Sequence, residues 1–327
     1  MIKLNDYLYE GDTVLKILYR YTNDLKAEAM KKHNPIDMVH CNFLLQLSTL
    51  LEHNDFLDDQ AERMTEFYRY LEDKYPNLAF TQRGRIKSLI RSEEKFNGYV
   101  TSFIYHYYHD NGHFPSTAEI REHLSCFRDL IAYRIVISVP RCHLNSEEER
   151  EEVERKYLYE IANALPDFLE ARGFTPELAE RGVAGEDSLL TEHVRPFYRD
   201  FVATSRDFGY QSLHITFFDN SARCFVEVQL RTKTMDDYAE IGPANHLGYE
   251  KRQDKERLRR DEIPKGECIY FDEAYERGEA LQKLDLSKLD VNMFAAANNS
   301  LINDGCGLYR GRLIQPREHL SRFQKHQ

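Results

Sequence analysis

Residues 210–232 read YQSLHITFFDNSARCFVEVQLRT, and their alternation decides the fold class. Tyr210–Phe218 and Arg223–Thr232 each switch between apolar and polar residues with a period of two, the pattern of half-buried strands. Asp219-Asn220-Ser221 between them is turn chemistry, so the pair reads as an antiparallel hairpin. On the second strand Phe225, Glu227, Gln229 and Arg231 share one face, and Val226, Val228 and Leu230 share the other. The aliphatic face is core. The opposite face is a row of acid, amide and cation, open to two readings: a solvated sheet surface or the polar floor of a ligand site.

Outward from the hairpin, Asp129–Val139 is rich in Ile and Val and reads as a buried strand stopped by Pro140. Residues 12–75 are helical. In Ile36–Glu52, Met38, Val39, Phe43, Leu44, Leu47 and Leu50 mark one face, and Pro76-Asn77 ends the helix over Thr65–Tyr75. Residues 84–100, GRIKSLIRSEEKFNGYV, predict a helix ended by Asn97-Gly98. Further helix is expected over 101–127, broken at Asn111-Gly112 and Pro115. An amphipathic helix follows over 147–165, its charges forming a solvated face, then a loop over 174–190. Lys233–Tyr249, containing His246, is a helix with a charged continuation over 251–262, and the tail 266–327 is mixed, with strands over Gly305–Ile314. The fold class expected is α+β: a small mixed β-sheet flanked by helices, with a helical N-terminal and a mixed C-terminal extension.

Composition bounds the function. The chain has 327 residues, 42% hydrophobic and 30% charged, enough apolar material for a core. Its net charge of −11 argues against a broad nucleic-acid-binding surface and leaves room only for a local basic groove. The six cysteines contain no CxxC pair, so reduced, packing thiols are expected rather than a zinc site or a disulfide framework. The longest apolar run, Leu130–Val139, is interrupted by Arg134 and is too short for a membrane span. The opening residues MIKLNDYLYEGD lack an apolar signal core, so a cytoplasmic protein with no membrane partner is expected.

Several residues bear chemistry. Arg85, Lys87 and Lys95 gather cations at the mouth of one helix; a guanidinium fork and point-charge ammoniums suit a triphosphate, and equally a solvated basic face. Asp129 precedes the buried strand and Glu227 lies within the hairpin. On neighbouring strands the two carboxylates would share Mg²⁺ through oxygen ligands. Tyr210, Ser212 and His214 share a face by alternation. The tyrosine is a natural base-stacking platform, and the histidine reads as structural just as readily.

Taken in order, these pieces resemble a known family. The run R-x-K with a lysine ten after the arginine, then DLIAYRIV, GYQSLH and EVQLRTKTMDDYAEIGPANH, resembles the synthetase domain of RelA/SpoT proteins over roughly residues 70–252. Those enzymes make the alarmones pppGpp and ppGpp, and the resemblance is to their small, single-function form. It implies a nucleotidyltransferase-like synthetase fold, organised as a helical extension (1–70), a synthetase domain (71–252) and a C-terminal extension (253–327). It further implies transfer of the β,γ-pyrophosphate of ATP to the 3′-hydroxyl of GDP or GTP with release of AMP, Mg²⁺ as cofactor, and a homo-oligomer.

Residue by residue, Arg85, Lys87 and Lys95 look like the ATP-binding cations, with Arg141 as an adenine-stacking candidate. Asp129 looks like the Mg²⁺ ligand, and Glu227 like the second acidic residue, a ligand or general base. Tyr210 looks like the residue that stacks on the acceptor guanine; His214, Gln229 and Arg231 look like acceptor-site or strand-face residues. Arg206 stands where the family usually has lysine. Phe208 replaces the asparagine of the family's N-G-Y, a departure that bears on acceptor recognition, and Arg91 stands where the family often has a small hydroxyl residue in the ATP helix. Two alternatives stand beside this reading. One is the same chemistry on a tRNA 3′ end or an adenosine nucleotide; the other is a non-catalytic nucleotide-binding module.

Overall fold

The computed structural model describes residues 1–9, 12–52, 55–86, 88–125, 127–128, 130–144, 149–179, 184–185, 187–204, 209–240 and 262–284, and the backbone of three short strands at 308–309, 312–313 and 317–318. In chain order the elements are α1 (Val14–Lys32), α2 (Pro35–Glu52), α3 (Asp55–Lys74), β1 (Ala79–Ile86), α4 (Leu89–Asn111), α5 (Thr117–Ser125) and β2 (Ile131–Ser138). Then follow α6 (Arg150–Glu170), β3 (Phe174–Pro176), β4 (Tyr198–Asp200), β5 (Leu213–Asp219), β6 (Cys224–Thr232), α7 (Lys233–Glu240), α8 (Ile269–Gln282), β7 (Leu308–Tyr309), β8 (Arg312–Leu313) and β9 (Arg317–Glu318). The fold is α+β, with an open, mostly antiparallel sheet flanked by helices, as expected. No helix among the described residues is long and apolar enough to cross a membrane. Cys41, Cys142, Cys224 and Cys268 are free thiols.

The chain forms two compact units, each built from three stretches: Met1–Asn54, Ile86–Leu130 and Arg257–Arg312 in one, and Asp55–Arg85, Ile131–Glu256 and Leu313–Gln327 in the other. The second unit carries the seven-stranded sheet, ordered β3-β5-β6-β2-β1-β9, with β4 also paired to β5. The expected hairpin is β5 and β6, in register from Leu213↔Leu230 to Asp219↔Cys224. Strand β2 runs parallel to β6, from Ile131↔Val226 to Ile137↔Thr232. It is buried along most of its length, which explains its near-continuous Ile/Val run. Val226, Val228 and Leu230 are fully buried, and Leu158, Ile161, Leu165 and Leu169 of α6 pack their face against the sheet.

At the turn end of the hairpin, Asp219 is fully buried and accepts from Arg63 Nη2 at 2.8 Å and Gln60 Nε2 at 2.8 Å. Its other oxygen takes the backbone N–H groups of Ser221 at 3.0 Å and Ala222 at 3.2 Å. The aspartate thus shapes the turn and ties it to α3. Gln60 completes the cluster by accepting from the Tyr133 hydroxyl at 3.2 Å.

The first unit is helical. Ile17, Leu18, Tyr21 and Leu25 of α1 are buried with Leu44 and Leu47 of α2 and with Phe96, Val100 and Ile104 of α4. Its interior holds buried charge. Arg277 grips Asp37 through two nitrogens at 2.7 and 2.9 Å, and Glu93 accepts from Tyr21 at 2.7 Å and meets His40 Nε2 at 2.7 Å. Burial pushes the Glu93 carboxyl up, but His40 and the Tyr21 hydrogen bond outweigh it and hold the group below its ordinary range.

Three expectations need correction. The stretch 84–100 is not one helix: Arg85 lies at the end of β1, and α4 begins at Leu89 behind the N-cap Ser88. Asn97-Gly98 does not end α4, because the Asn97 amide is spent on Glu93 Oε1 at 2.9 Å inside the core; the helix stops at Gly112, where φ is 73°. The loop expected over 174–190 begins with a strand, β3, paired to β5.

Helix α5 opens with a capping box. Glu119 Oε2 accepts from the Ser116 backbone N–H at 2.7 Å while Ser116 Oγ accepts from the Glu119 N–H at 3.3 Å. Tyr107 adds a hydrogen bond at 2.6 Å. The Tyr107 and Ser116 hydrogen bonds lower the Glu119 carboxyl from 4.5 to about 2. A carboxyl depressed on folding contributes stability above its unfolded pKa and loses it as pH falls through the folded value, here between 4.5 and about 2. Glu119→Gln is therefore expected to flatten the fall in melting temperature over that window. Parallel wild-type and variant curves would contradict it.

Candidate active site

Strand register assembles one polar row across the sheet. His214 on β5 stands opposite Arg199 on β4 and opposite Gln229 on β6, and Gln229 stands beside Arg134 on β2. Cross-strand partners share a face, so these side chains meet on one side of the sheet. Glu227, two residues before Gln229, joins the same face. The polar face is not a solvated one: Gln229, Arg231 and His214 are buried.

Glu227 is the centre of the row. Its Oε1 accepts from Arg199 Nη2 at 2.7 Å and lies 3.2 Å from His214 Nδ1, and its Oε2 accepts from Gln229 Nε2 at 2.7 Å. Tyr210 lies just before β5 rather than on it, yet its hydroxyl reaches His214 Nε2 at 2.9 Å. Phe201 packs edge-on against His214 with ring centroids 5.1 Å apart. Burial lowers the His214 pKa, with Arg199 and Arg231 acting in the same direction and the Glu227 charge opposing them, so a neutral imidazole is favoured.

Arg231 closes the row. Its Nη2 donates to the Tyr210 hydroxyl at 2.6 Å and to Gln229 Oε1 at 3.2 Å, its Nε to Ser212 Oγ at 3.3 Å, and its Nη1 to Asp236 Oδ1 at 3.1 Å. Arg134 Nη1 donates to the same Asp236 oxygen at 3.1 Å. Gly209 precedes Tyr210 at φ 70°, and a Cβ there would meet the Tyr238 hydroxyl at 3.3 Å, so the backbone favours glycine at 209.

The remaining expected residues lie on other elements or outside the described residues. Lys95 is exposed on α4 in the helical unit. Arg85 is on β1, and Arg141 is exposed in a short 3-10 turn after β2. Lys87, Asp129, Arg206, Phe208 and His246 lie outside the described residues. Among the described residues the donors around Glu227 are a guanidinium, an imidazole and an amide, which together take three of the carboxylate's lone-pair sites. No cluster of three or more His, Cys, Asp or Glu suited to a metal occurs among the described residues.

Arg199, Arg134 and Asp236 are the members that the sequence reading did not pick out. Arg199 sits on a three-residue strand, too short to show a period, and Asp236 declares itself only once α7 is seen to start directly after β6.

Comparison with known proteins adds to this geometry. A model of the region found in RelA/SpoT proteins matches residues 188–254, a stretch that contains Arg199, Tyr210, His214, Glu227, Gln229, Arg231 and Asp236. A search of curated proteins found no match. Among solved structures, small alarmone synthetase 1 from Bacillus subtilis is 16% identical, with 72% of this chain and 92% of that one covered at a TM-score of 0.32. The same protein bound to its product pppGpp gives 17%, 73%, 96% and 0.33. A GTP pyrophosphokinase family protein from Streptococcus pneumoniae gives 15%, 74%, 97% and 0.30. Superpositions this loose do not place one chain's residues on another's. Over residues 188–254, this chain is similar to the region found in RelA/SpoT proteins.

Proposed function

We propose that the protein is an ATP:nucleotide 3′-pyrophosphotransferase that makes (p)ppGpp from ATP and GDP or GTP. The reading is carried by one observation: the RelA/SpoT-region match and the hydrogen-bonded cluster about Glu227 fall on the same residues. Chemistry of this kind is mostly positioning and charge stabilisation. Tyr210, with its hydroxyl held by Arg231 and His214, presents a ring fixed in direction for an acceptor base. Glu227 is the carboxylate placed to take the acceptor hydroxyl's proton, a role for which Arg199 must release it. Arg85, Lys87, Lys95 and Arg141 are assigned to ATP, and Arg206 to the acceptor phosphates. Mg²⁺ enters the proposal as the counter-ion of ATP, with Asp129 as its protein ligand.

The test is a transfer assay with γ-labelled ATP, Mg²⁺ and, in separate tubes, GMP, GDP, GTP, ATP or bulk tRNA. Label on a guanine nucleotide with an equal amount of AMP supports the proposal. Label only on tRNA or an adenosine nucleotide keeps the chemistry and changes the acceptor. Bound nucleotide without AMP would make the protein a binding module. Within this scheme Tyr210→Ala is expected to raise the acceptor KM roughly 5- to 150-fold, the worth of about 1–3 kcal/mol of stacking. Tyr210→Phe keeps the ring, so its acceptor KM should rise much less; equal effects would mean that the hydroxyl, not the ring, is what matters.

A further inference from the structure

All three guanidinium nitrogens of Arg231 are engaged within the protein, and the residue is 3% exposed, so it has no free edge for a substrate. Its contacts fix the direction of every hydrogen bond beyond it. The Tyr210 oxygen accepts from Arg231, which leaves its single proton for His214 Nε2. With Nε2 accepting, a neutral His214 keeps its proton on Nδ1, the nitrogen that faces Glu227 Oε1. Gln229 is oriented in the same way: its oxygen accepts from Arg231, so its amide nitrogen faces Glu227 Oε2. Two arms therefore run from Arg231 to the two oxygens of one carboxylate, through Tyr210 and His214 on one side and Gln229 on the other.

What holds Arg231 is Asp236. It lies in the first turn of α7, which begins where β6 ends, so the helix start sets its position. It is 8% exposed and takes both Arg231 and Arg134 on one oxygen, which joins α7 to β6 and β2. We propose that Asp236 is a positioning residue of this site: by anchoring Arg231 it sets the directions of the Tyr210–His214 and Gln229 arms that hold Glu227. The kinetic consequence rests on the function proposed above; the structural consequence does not.

Asp236→Asn and the more conservative Asp236→Glu test it, each first checked for folding by circular dichroism and by a melt well above the assay temperature. The direct readout is the ¹⁵N spectrum of His214, assigned with His214→Gln. The wild type is expected to show a pyrrole-like Nδ1 and a pyridine-like Nε2, and Asp236→Asn to move both signals toward tautomeric averaging, with Asp236→Glu nearer the wild type. In the transfer assay Asp236→Asn should raise the acceptor KM about tenfold or more, as an unanchored donor loosens Tyr210, while the KM for ATP stays within about twofold. A lower melting temperature with an unchanged His214 spectrum and unchanged acceptor KM would make Asp236 a purely structural ion-pair partner and overturn the proposal. Should the wild type transfer no label, the proposed function fails, and the nitrogen spectrum alone decides the role of Asp236. Should Asp236→Asn not fold, Asp236→Ser, which also removes the carboxylate, decides it by the same spectrum, an unaltered one again counting against the proposal.

Discussion

Glu227→Gln is expected to lower the rate of pyrophosphate transfer about 10²- to 10⁴-fold, the range for loss of a positioned acid–base group. The shape of the side chain is kept, so the effect is chemical. An amide cannot take the acceptor's proton, and it brings an N–H group of its own. Both oxygens of Glu227 face donors: Arg199 and His214 on one side, Gln229 on the other. Whichever way the new amide turns, a donor meets a donor. The variant is thus expected to lose turnover while keeping most of its affinity for ATP, measured by single-turnover AMP release and by nucleotide titration. Near-wild-type turnover would remove Glu227 from the mechanism and leave it as one member of a structural ion pair.

The second large effect concerns stability. Asp219→Ala is expected to destabilise the sheet-bearing unit by about 3–5 kcal/mol, because it takes the acceptor from buried Gln60 and leaves half-buried Arg63 with only Asp59 and the Arg172 carbonyl. It also frees two backbone N–H groups of the hairpin turn, those of Ser221 and Ala222. Asp219→Asn keeps the turn and loses the charge, so it should fall between the two. Urea unfolding followed by far-UV circular dichroism measures both. A loss below about 1 kcal/mol for the alanine variant would mean that Arg63 finds another partner, or that water reaches the site.

These two residues differ in how visibly the sequence marks them. Asp219 stood in a recognisable turn and Glu227 on a recognisable alternating strand, so the hairpin could be read directly. Strand β2 was legible for a different reason, since a strand buried on both faces needs an unbroken aliphatic run. Strand β1 was not. Its sequence, AFTQRGRI, carries Gln, Arg and Gly through the middle and becomes a strand only through its neighbours in the sheet. Strands β3 and β4 are three residues each, below the length at which a period can show. In α4, Asn97-Gly98 has the composition of a helix end and is overridden by a buried carboxylate four residues earlier.

The site shows the same division. Tyr210, His214, Glu227, Gln229 and Arg231 lie close in sequence, and alternation alone grouped most of them. Arg199 joins them only through the register Arg199↔His214, and Arg134 only through Arg134↔Gln229 across a parallel pair. Such partners are set by pairings between distant segments, which no local pattern contains.

The interleaving of the two units bears on how the chain is made. Both units are assembled from three stretches, and the helical one includes α8 near residue 280. Arg277 and Glu273 on that helix supply the partners of Asp37, Asn34 and Lys32 near the start of the chain. During synthesis the buried Asp37 of α2 therefore waits for more than 200 residues before its charge is matched by Arg277. The parallel pairing of β2 with β6 imposes a similar delay on the sheet, for its two strands start at Ile131 and Cys224. Neither unit can be completed as the ribosome passes it, so this is a chain whose halves mature together, late, and by long-range closure rather than one after the other.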